Sequence, residues 1–185
     1  EDKDPQAWLI LGLSAFKNGD QKSAFTAMEK ALALNKRLPE AYRYRGLLYL
    51  EMGEGQKAVN DLVEAVRFKP NDFEINLELG RALLLAERYM DAYKQLNSTE
   101  NLVETDAQRA EVLYWRGKTL EAGANPRAAE VDYLALLALP AEAVPPEYIA
   151  FAKERLSAMR SPTPTASSTS TITLTPTPTS SRTPT

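Results

Sequence analysis

The 185-residue sequence contains no cysteine and no histidine. Without cysteine, it cannot form disulfides, zinc–thiolate sites, iron–sulfur clusters or cysteine nucleophiles. Without histidine, it lacks the commonest general base, the usual metal ligand and every histidine-based catalytic triad. An enzyme would have to work with carboxylates, Lys, Tyr or Ser alone. We therefore predict a protein that is not an enzyme, with no catalytic residues, no cofactor and no metal site.

The sequence also has little excess charge and no long apolar run. Its formal net charge is −3, which argues against a nucleic-acid binder that works by neutralising phosphates and leaves protein partners open. No stretch approaches the roughly 20 apolar residues that a bilayer-spanning helix needs. We predict no direct membrane insertion in this segment.

β-branched residues are scarce in the first 160 residues, where alanine and leucine dominate instead. Helix formers in such excess, together with so little valine and isoleucine, are typical of helical proteins. The composition predicts an all-α domain over residues 1–160.

Residues 161–185 have a different composition, since 21 of these 25 residues are Thr, Ser or Pro. Such a segment cannot bury a core, so we predict a disordered linker or tail. It could tether the domain to a membrane anchor, a wall domain or another module, or form an O-glycosylated stalk; the alternative is a solvated tail without sugar. Such linkers are typical of bacterial envelope and secreted proteins, so we expect an extracytoplasmic or cell-surface location.

The chain begins at Glu rather than Met and ends within this low-complexity run. We therefore expect a piece of a longer protein or a processed form.

Small residues recur along the first 140 residues with a period of 34. The repeated glycines are Gly12, Gly46, Gly80 and Gly117, and the repeated alanines are Ala24, Ala58, Ala92 and Ala129. The last interval is 37 in both series, which predicts an insertion within residues 97–108. Small residues at fixed positions allow two helix backbones to approach each other, so the period predicts repeated helix pairs.

The repeated pattern resembles the tetratricopeptide repeat. The first copy has Trp8 and Leu11 before its glycine, and Met28 and Ala31 after its alanine. The resemblance implies a right-handed superhelical solenoid of antiparallel helix pairs. It implies about four repeats, at 5–38, 39–72, 73–106 and 110–141, and a C-terminal capping helix at 146–159.

Turn residues and prolines between the apolar segments locate the helices. The predicted helices cover residues 5–17, 21–35, 39–52, 56–69, 73–86, 89–97, 106–122, 126–138 and 146–159.

In tetratricopeptide-repeat proteins the first helix of each pair lines a concave face, so the resemblance also implies a partner-binding groove. The predicted groove residues are Leu9, Leu13, Phe16, Arg43, Tyr44, Leu47, Leu77, Arg81, Tyr114 and Lys118. Aromatic, apolar and cationic side chains of this kind suit a peptide or helix laid in a groove. The alternative is that several inner positions, especially Leu50, Leu84 and Trp115, pack against the neighbouring helix.

We therefore predict a non-enzymatic scaffold that binds a peptide or partner protein in the concave groove. One alternative is a substrate-docking arm of a multidomain enzyme whose catalytic domain is absent from this chain; another is a self-assembly module. One subfamily of these repeats grips the C-terminal carboxylate of chaperones with Lys, Asn and Arg side chains. The matching positions hold Leu9, Leu13, Tyr44, Glu74 and Glu78, so we do not expect this chain to bind chaperone tails.

Overall fold

The computed structural model describes residues 3–160, which form nine α-helices. The helices are α1 (Pro5–Lys17), α2 (Gln21–Leu34), α3 (Pro39–Glu51), α4 (Gly55–Phe68), α5 (Phe73–Leu85), α6 (Tyr89–Thr99), α7 (Asp106–Ala122), α8 (Pro126–Leu137) and α9 (Pro146–Arg160). The predicted helix boundaries differ from these by at most two residues. The predicted tail, residues 161–185, lies outside the described residues.

The helices pack as a linear series of pairs. α1 packs on α2, α3 on α4, α5 on α6 and α7 on α8, and the second helix of each pair also packs on the helix that follows it. Three residues separate the two helices of each pair, so the pairs are antiparallel. Contacts run within each pair and between successive pairs, which makes the array an all-α solenoid, as the repeat predicts.

Each pair has one very close approach between its helices, at the repeated glycine. A Cβ atom added to these glycines would lie 2.8, 2.8, 2.5 and 2.5 Å from a side-chain carbon of Met28, Leu62, Leu96 and Tyr133, respectively. These four side chains and the four repeated alanines have no exposed surface. The repeat period therefore reflects the packing of one helix of each pair against the other.

The inserted residues lengthen the connection between α6 and α7. A short 3₁₀ turn, Glu100–Leu102, follows α6. The Thr105 hydroxyl then accepts a hydrogen bond from the Gln108 backbone, and the Gln108 side chain accepts one from the Thr105 backbone. This capping box starts α7 after the insertion and allows the fourth pair to pack like the others.

α9 is held to the last pair by a partly buried polar contact. The Arg155 guanidinium donates hydrogen bonds of 2.6–3.1 Å to both carboxylate oxygens of Glu121. The Tyr133 hydroxyl donates a further hydrogen bond of 2.8 Å to Glu121. Although burial raises it, the pKa of Glu121 is held below its ordinary value by these two donors. α9 also covers the apolar cluster between α7 and α8.

Candidate binding groove on the inner layer

The first helices of the pairs form the inner layer of the solenoid. α1, α3, α5 and α7 contact one another in series. The second helices of the pairs make no comparable contacts with one another in residues 3–160. The closer approach of the first helices makes their layer the concave side of the curve.

A cavity of about 730 Å³ lies in this layer between α3, α5 and α7, and we call it the inner groove. It is lined by Leu47, Leu50, Glu51, Arg81, Leu84, Leu85, Glu87, Tyr89, Trp115, Lys118 and Ala122. Four of these residues are leucines of α3 and α5. Its volume falls in the range of roughly 300–1,000 Å³ that is usual for ligand pockets in proteins.

Three of the ten predicted residues, Leu47, Arg81 and Lys118, line the inner groove. They occupy equivalent positions of successive repeats, separated by 34 and 37 residues. The structure therefore brings together one predicted residue from each of three helices.

Leu9 and Leu77 require a correction, because their side chains are buried rather than presented to a partner. Their exposed fractions are 6% and 3%. Leu9 packs in the cluster that contains Met28, and Leu77 packs in the cluster that contains Leu96. Both side chains therefore lie between helices, where they support the inner layer.

Leu13, Phe16 and Tyr44 are half-buried in the inner layer outside the cavity. The Phe16 and Tyr44 rings meet edge to face, with centroids 5.2 Å apart. Leu13 and Tyr44 pack against the apolar cluster of the first pair. These three residues extend the apolar surface of the inner layer toward the N-terminal end.

Arg43 connects α3 to α5 through an ion pair with a carboxylate of this chain. Its guanidinium donates hydrogen bonds of 2.6–3.0 Å to both carboxylate oxygens of Glu78, and Glu74 lies 3.7 Å away. Hydrogen bonding to Glu78 raises the pKa of Arg43, and burial raises the pKa of Glu78. Because the charge of Arg43 is taken by the chain itself, we assign it a structural role.

Trp115 is the aromatic side chain of α7 in the inner groove. The Arg81 Cζ and Lys118 Nζ atoms each lie 4.7 Å from a Trp115 ring centroid, within the range of cation–π attraction. From the sequence, Trp115, Leu50 and Leu84 lie at inner positions, with packing against the neighbouring helix as the alternative. They do pack on buried clusters, but each is only half-buried and also lines the cavity.

The remaining lining residues that the sequence analysis missed lie at helix ends and turns. They are Glu51, Leu85, Glu87, Tyr89 and Ala122. The predicted groove residues lie inside the first helix of each pair, whereas these residues lie at the last position of that helix or beyond it. The turn positions of the same repeat alignment would have found them.

Tyr114 forms an aromatic cluster at the C-terminal end of the inner layer. Its ring stacks on Tyr148 of α9, with centroids 3.8 Å apart and planes at 6°. Phe151 meets it edge to face at 5.2 Å. Burial raises the pKa of Tyr148. Tyr114 therefore joins α7 to α9, and Lys118 reaches the rings of Tyr114 and Phe151 at 5.1 and 5.3 Å.

A second cavity, of about 750 Å³, lies at the N-terminal face of the first pair. It is lined by Trp8, Leu11, Ser14, Ala15, Asn18, Asp20, Lys22, Ser23, Thr26 and Ala27. In later pairs the preceding helix covers the corresponding surface, as α2 covers α3. Most of its lining residues are small or polar.

The described part of the chain contains no group of three or more Asp or Glu residues placed to hold a metal ion. Among residues 3–160, no helix is both long enough and apolar enough to span a bilayer.

Comparison with known proteins agrees with this geometry. Residues 5–37 match the family model of the tetratricopeptide repeat. A search of curated proteins by sequence finds no significant match.

Solved structures share the fold at low sequence identity. MamA from Desulfovibrio magneticus superposes with a TM-score of 0.64 at 18% identity, covering 86% of this chain and 78% of that chain. A thermophilic TPR protein of Thermus thermophilus gives 0.65 at 23% identity, covering 84% and 83%. The O-GlcNAc transferase of Thermobaculum terrenum gives 0.60 at 22% identity, covering 71% of this chain but only 25% of that chain.

Proposed function

We propose that this chain is a non-enzymatic scaffold that binds a segment of a partner protein in the inner groove. Its described residues fold as a tetratricopeptide-repeat array, and such arrays typically mediate protein–protein interaction. The carrying observation is the cavity between α3, α5 and α7, which combines leucine side chains with a half-buried tryptophan and two cations. Aromatic and arginine side chains dominate the energetics of most protein interfaces.

The shape of the groove supports a peptide rather than a small metabolite. The cavity runs across three helices of the inner layer. Tyr44 and Tyr114 continue its surface toward the two ends of the array. A helix or extended segment with spaced apolar side chains fits such a surface.

Selection from a random 12-residue peptide display library tests this proposal with the full chain as bait. The selected peptides are labelled, and their affinities are measured by fluorescence anisotropy. Leu85→Arg puts a charge into the groove at a side chain that is 42% exposed. We expect it to weaken binding by about tenfold or more, because an apolar contact is lost and a charge is desolvated.

Val131→Arg is the matched control, since it adds the same charge to α8 at a side chain that is 65% exposed and lies outside the groove. We expect this variant to bind the selected peptides like the unmodified chain. If the library yields no binder, or if Leu85→Arg leaves all affinities unchanged, the groove is not the binding site.

The second candidate function is a substrate-docking arm of a multidomain enzyme. It is favoured by the similarity to the Thermobaculum terrenum O-GlcNAc transferase, of which this chain covers only a quarter. A catalytic domain encoded in the same reading frame would support this candidate. A reading frame that encodes no such domain would contradict it, while the binding experiment would stand.

A further inference from the structure

The half-buried cations of the described residues divide into two groups. Four arginines each donate hydrogen bonds from two nitrogens to one carboxylate: Arg43 to Glu78, Arg45 to Asp61, Arg116 to Asp132 and Arg155 to Glu121. The other two half-buried cations in residues 3–160, Arg81 and Lys118, have no carboxylate within 4.0 Å. A half-buried charge is partly desolvated, so its lack of a partner costs stability.

The two unpaired cations share one place in the structure. Arg81 and Lys118 occupy equivalent positions of α5 and α7, and both lie 4.7 Å from Trp115. The Arg81 Nε atom is buried and has no hydrogen-bond partner in the described residues. Within residues 3–160, the Lys118 ammonium donates one hydrogen bond, of 3.5 Å, to the Tyr114 hydroxyl. We call Arg81, Trp115 and Lys118 together the Trp115 clamp.

In residues 3–160 the carboxylates nearest the clamp, Glu78 and Glu111, interact with Arg81 from beyond ion-pair distance. Glu78 is held by Arg43. Burial raises the pKa of Glu111, and Arg81 opposes that rise only from beyond ion-pair distance. Glu51 and Glu87 also line the cavity, but they lie at the last residue of α3 and in the turn after α5. The cations therefore lie beside apolar lining, with acidic side chains near the ends of the helices.

We infer that the Trp115 clamp binds a glutamate or aspartate side chain of the partner, next to an apolar side chain that packs on Leu47 and Leu84. This inference rests on the proposed function and specifies the chemistry of the same groove. Two cations in a partly desolvated site make charge-assisted hydrogen bonds to a carboxylate that are stronger than those in open water. The clamp residues are not among the five residues that match the chaperone-binding subfamily. The ligand that we infer is an internal acidic side chain.

The test uses the peptides selected with the full chain, each compared with a version in which every acidic residue is replaced by its amide. Affinities are measured for the unmodified chain, for the double variant Arg81→Gln plus Lys118→Gln, and for a control double variant, Lys94→Gln plus Arg127→Gln. The control removes the same charge from two exposed side chains on α6 and α8.

We expect the selected peptides to carry an acidic residue beside a large apolar one. The amide peptides should bind the unmodified chain and the control about tenfold more weakly, and that difference should disappear in the clamp variant. The inference is overturned if Leu85→Arg weakens binding but neither the amide peptides nor the clamp variant does. The proposed function would survive that result. If no peptide binds, both fail.

A structural role for the clamp cations would give a different result. In that case the unmodified chain would already bind the acidic and amide peptides with equal affinity, and the clamp variant would unfold at a lower temperature than the control and bind both peptides equally weakly. That result would overturn the inference.

Discussion

At the scale of single residues, the turns inside the four pairs share one backbone conformation but differ in sequence. Gly19, Gly53, Glu87 and Ala124 have φ values of 74°, 75°, 58° and 60°. In each turn the next residue donates a backbone hydrogen bond to a carbonyl five positions earlier, as from Asp20 to the Ala15 carbonyl. This helix-ending motif places its turn residue in the left-handed region, where glycine is least strained.

Exchanging glycine and alanine at these turns should move stability in opposite directions. An ideal Cβ on Gly53 would meet nothing within 4 Å, so Gly53→Ala tests the backbone alone. We expect it to lower the free energy of unfolding by about 1 kcal/mol, and Ala124→Gly to raise it by a similar amount. Urea denaturation of both variants measures these changes. If both substitutions shifted stability in the same direction, the dihedral argument would be wrong.

At the scale of helices, a partly buried ion pair links the two helices of the second repeat, and another links those of the fourth. The first and third repeats, which also lie in the described residues, have no such ion pair between their helices. Arg45 donates hydrogen bonds of 2.6 and 2.8 Å to Asp61, and the corresponding Arg116 and Asp132 make the same contact. Hydrogen bonding to Asp61 raises the pKa of Arg45. Each of these two ion pairs connects the first helix of its repeat to the second helix.

Arg45→Met should destabilise the chain strongly, because it leaves the buried Asp61 carboxylate without a partner. We expect a loss of roughly 3 kcal/mol in the free energy of unfolding, and recovery of much of it when Asp61→Leu is added. Arg81→Gln is the comparison, since Arg81 has no carboxylate partner; it should cost less than about 1 kcal/mol. Urea denaturation of the three variants checks this ranking. If Arg45→Met and Arg81→Gln lowered the free energy of unfolding equally, the distinction between paired and unpaired cations would be refuted.

The attachment of α9 should depend on pH through Glu121. Its pKa in the folded chain lies below the ordinary value of 4.5, a shift opposed by burial and produced by the Arg155 and Tyr133 hydrogen bonds. A carboxyl whose pKa is lowered by folding contributes stability above its unfolded pKa and loses it as the pH falls through the folded value. Glu121→Gln should therefore melt at a lower temperature than the unmodified chain at pH 7.

This difference in melting temperature should shrink as the pH falls from about 5 to about 3. Thermal melts monitored by circular dichroism across that range measure it. A difference that stays constant with pH would show that the Glu121 charge does not hold α9.

At the scale of the whole molecule, the sequence predicts the array better than it predicts the surface that the array presents. The 34-residue period locates contacts within a pair, such as Gly46 against Leu62, because both residues recur with the repeat. Contacts between pairs, such as Arg43 with Glu78, depend on how one pair is rotated against the next. The period carries no information about that rotation.

The burial of Leu9 and Leu77 could not be predicted for a related reason. Their positions resemble the lining of other repeat proteins, but a leucine close to the boundary between core and groove turns inward when space is available there. The left-handed conformation of Glu87 and Ala124 could not be predicted either, because neither residue type indicates a left-handed turn. Arg81 and Lys118 were found because their equivalent position faces the groove in successive repeats.

The central claim, that partners bind at the inner groove beside Trp115, can be tested with an intrinsic probe. The chain has two tryptophans, and Trp8 lies in the first pair, away from the inner groove. The full chain with Trp8→Phe therefore keeps Trp115 as its sole tryptophan. Tryptophan is excited selectively over tyrosine, and its emission is recorded while a selected acidic peptide without tryptophan is added. We predict a saturable change in Trp115 emission whose dissociation constant equals that from anisotropy. Binding that is seen by anisotropy but leaves Trp115 emission unchanged would contradict the claim.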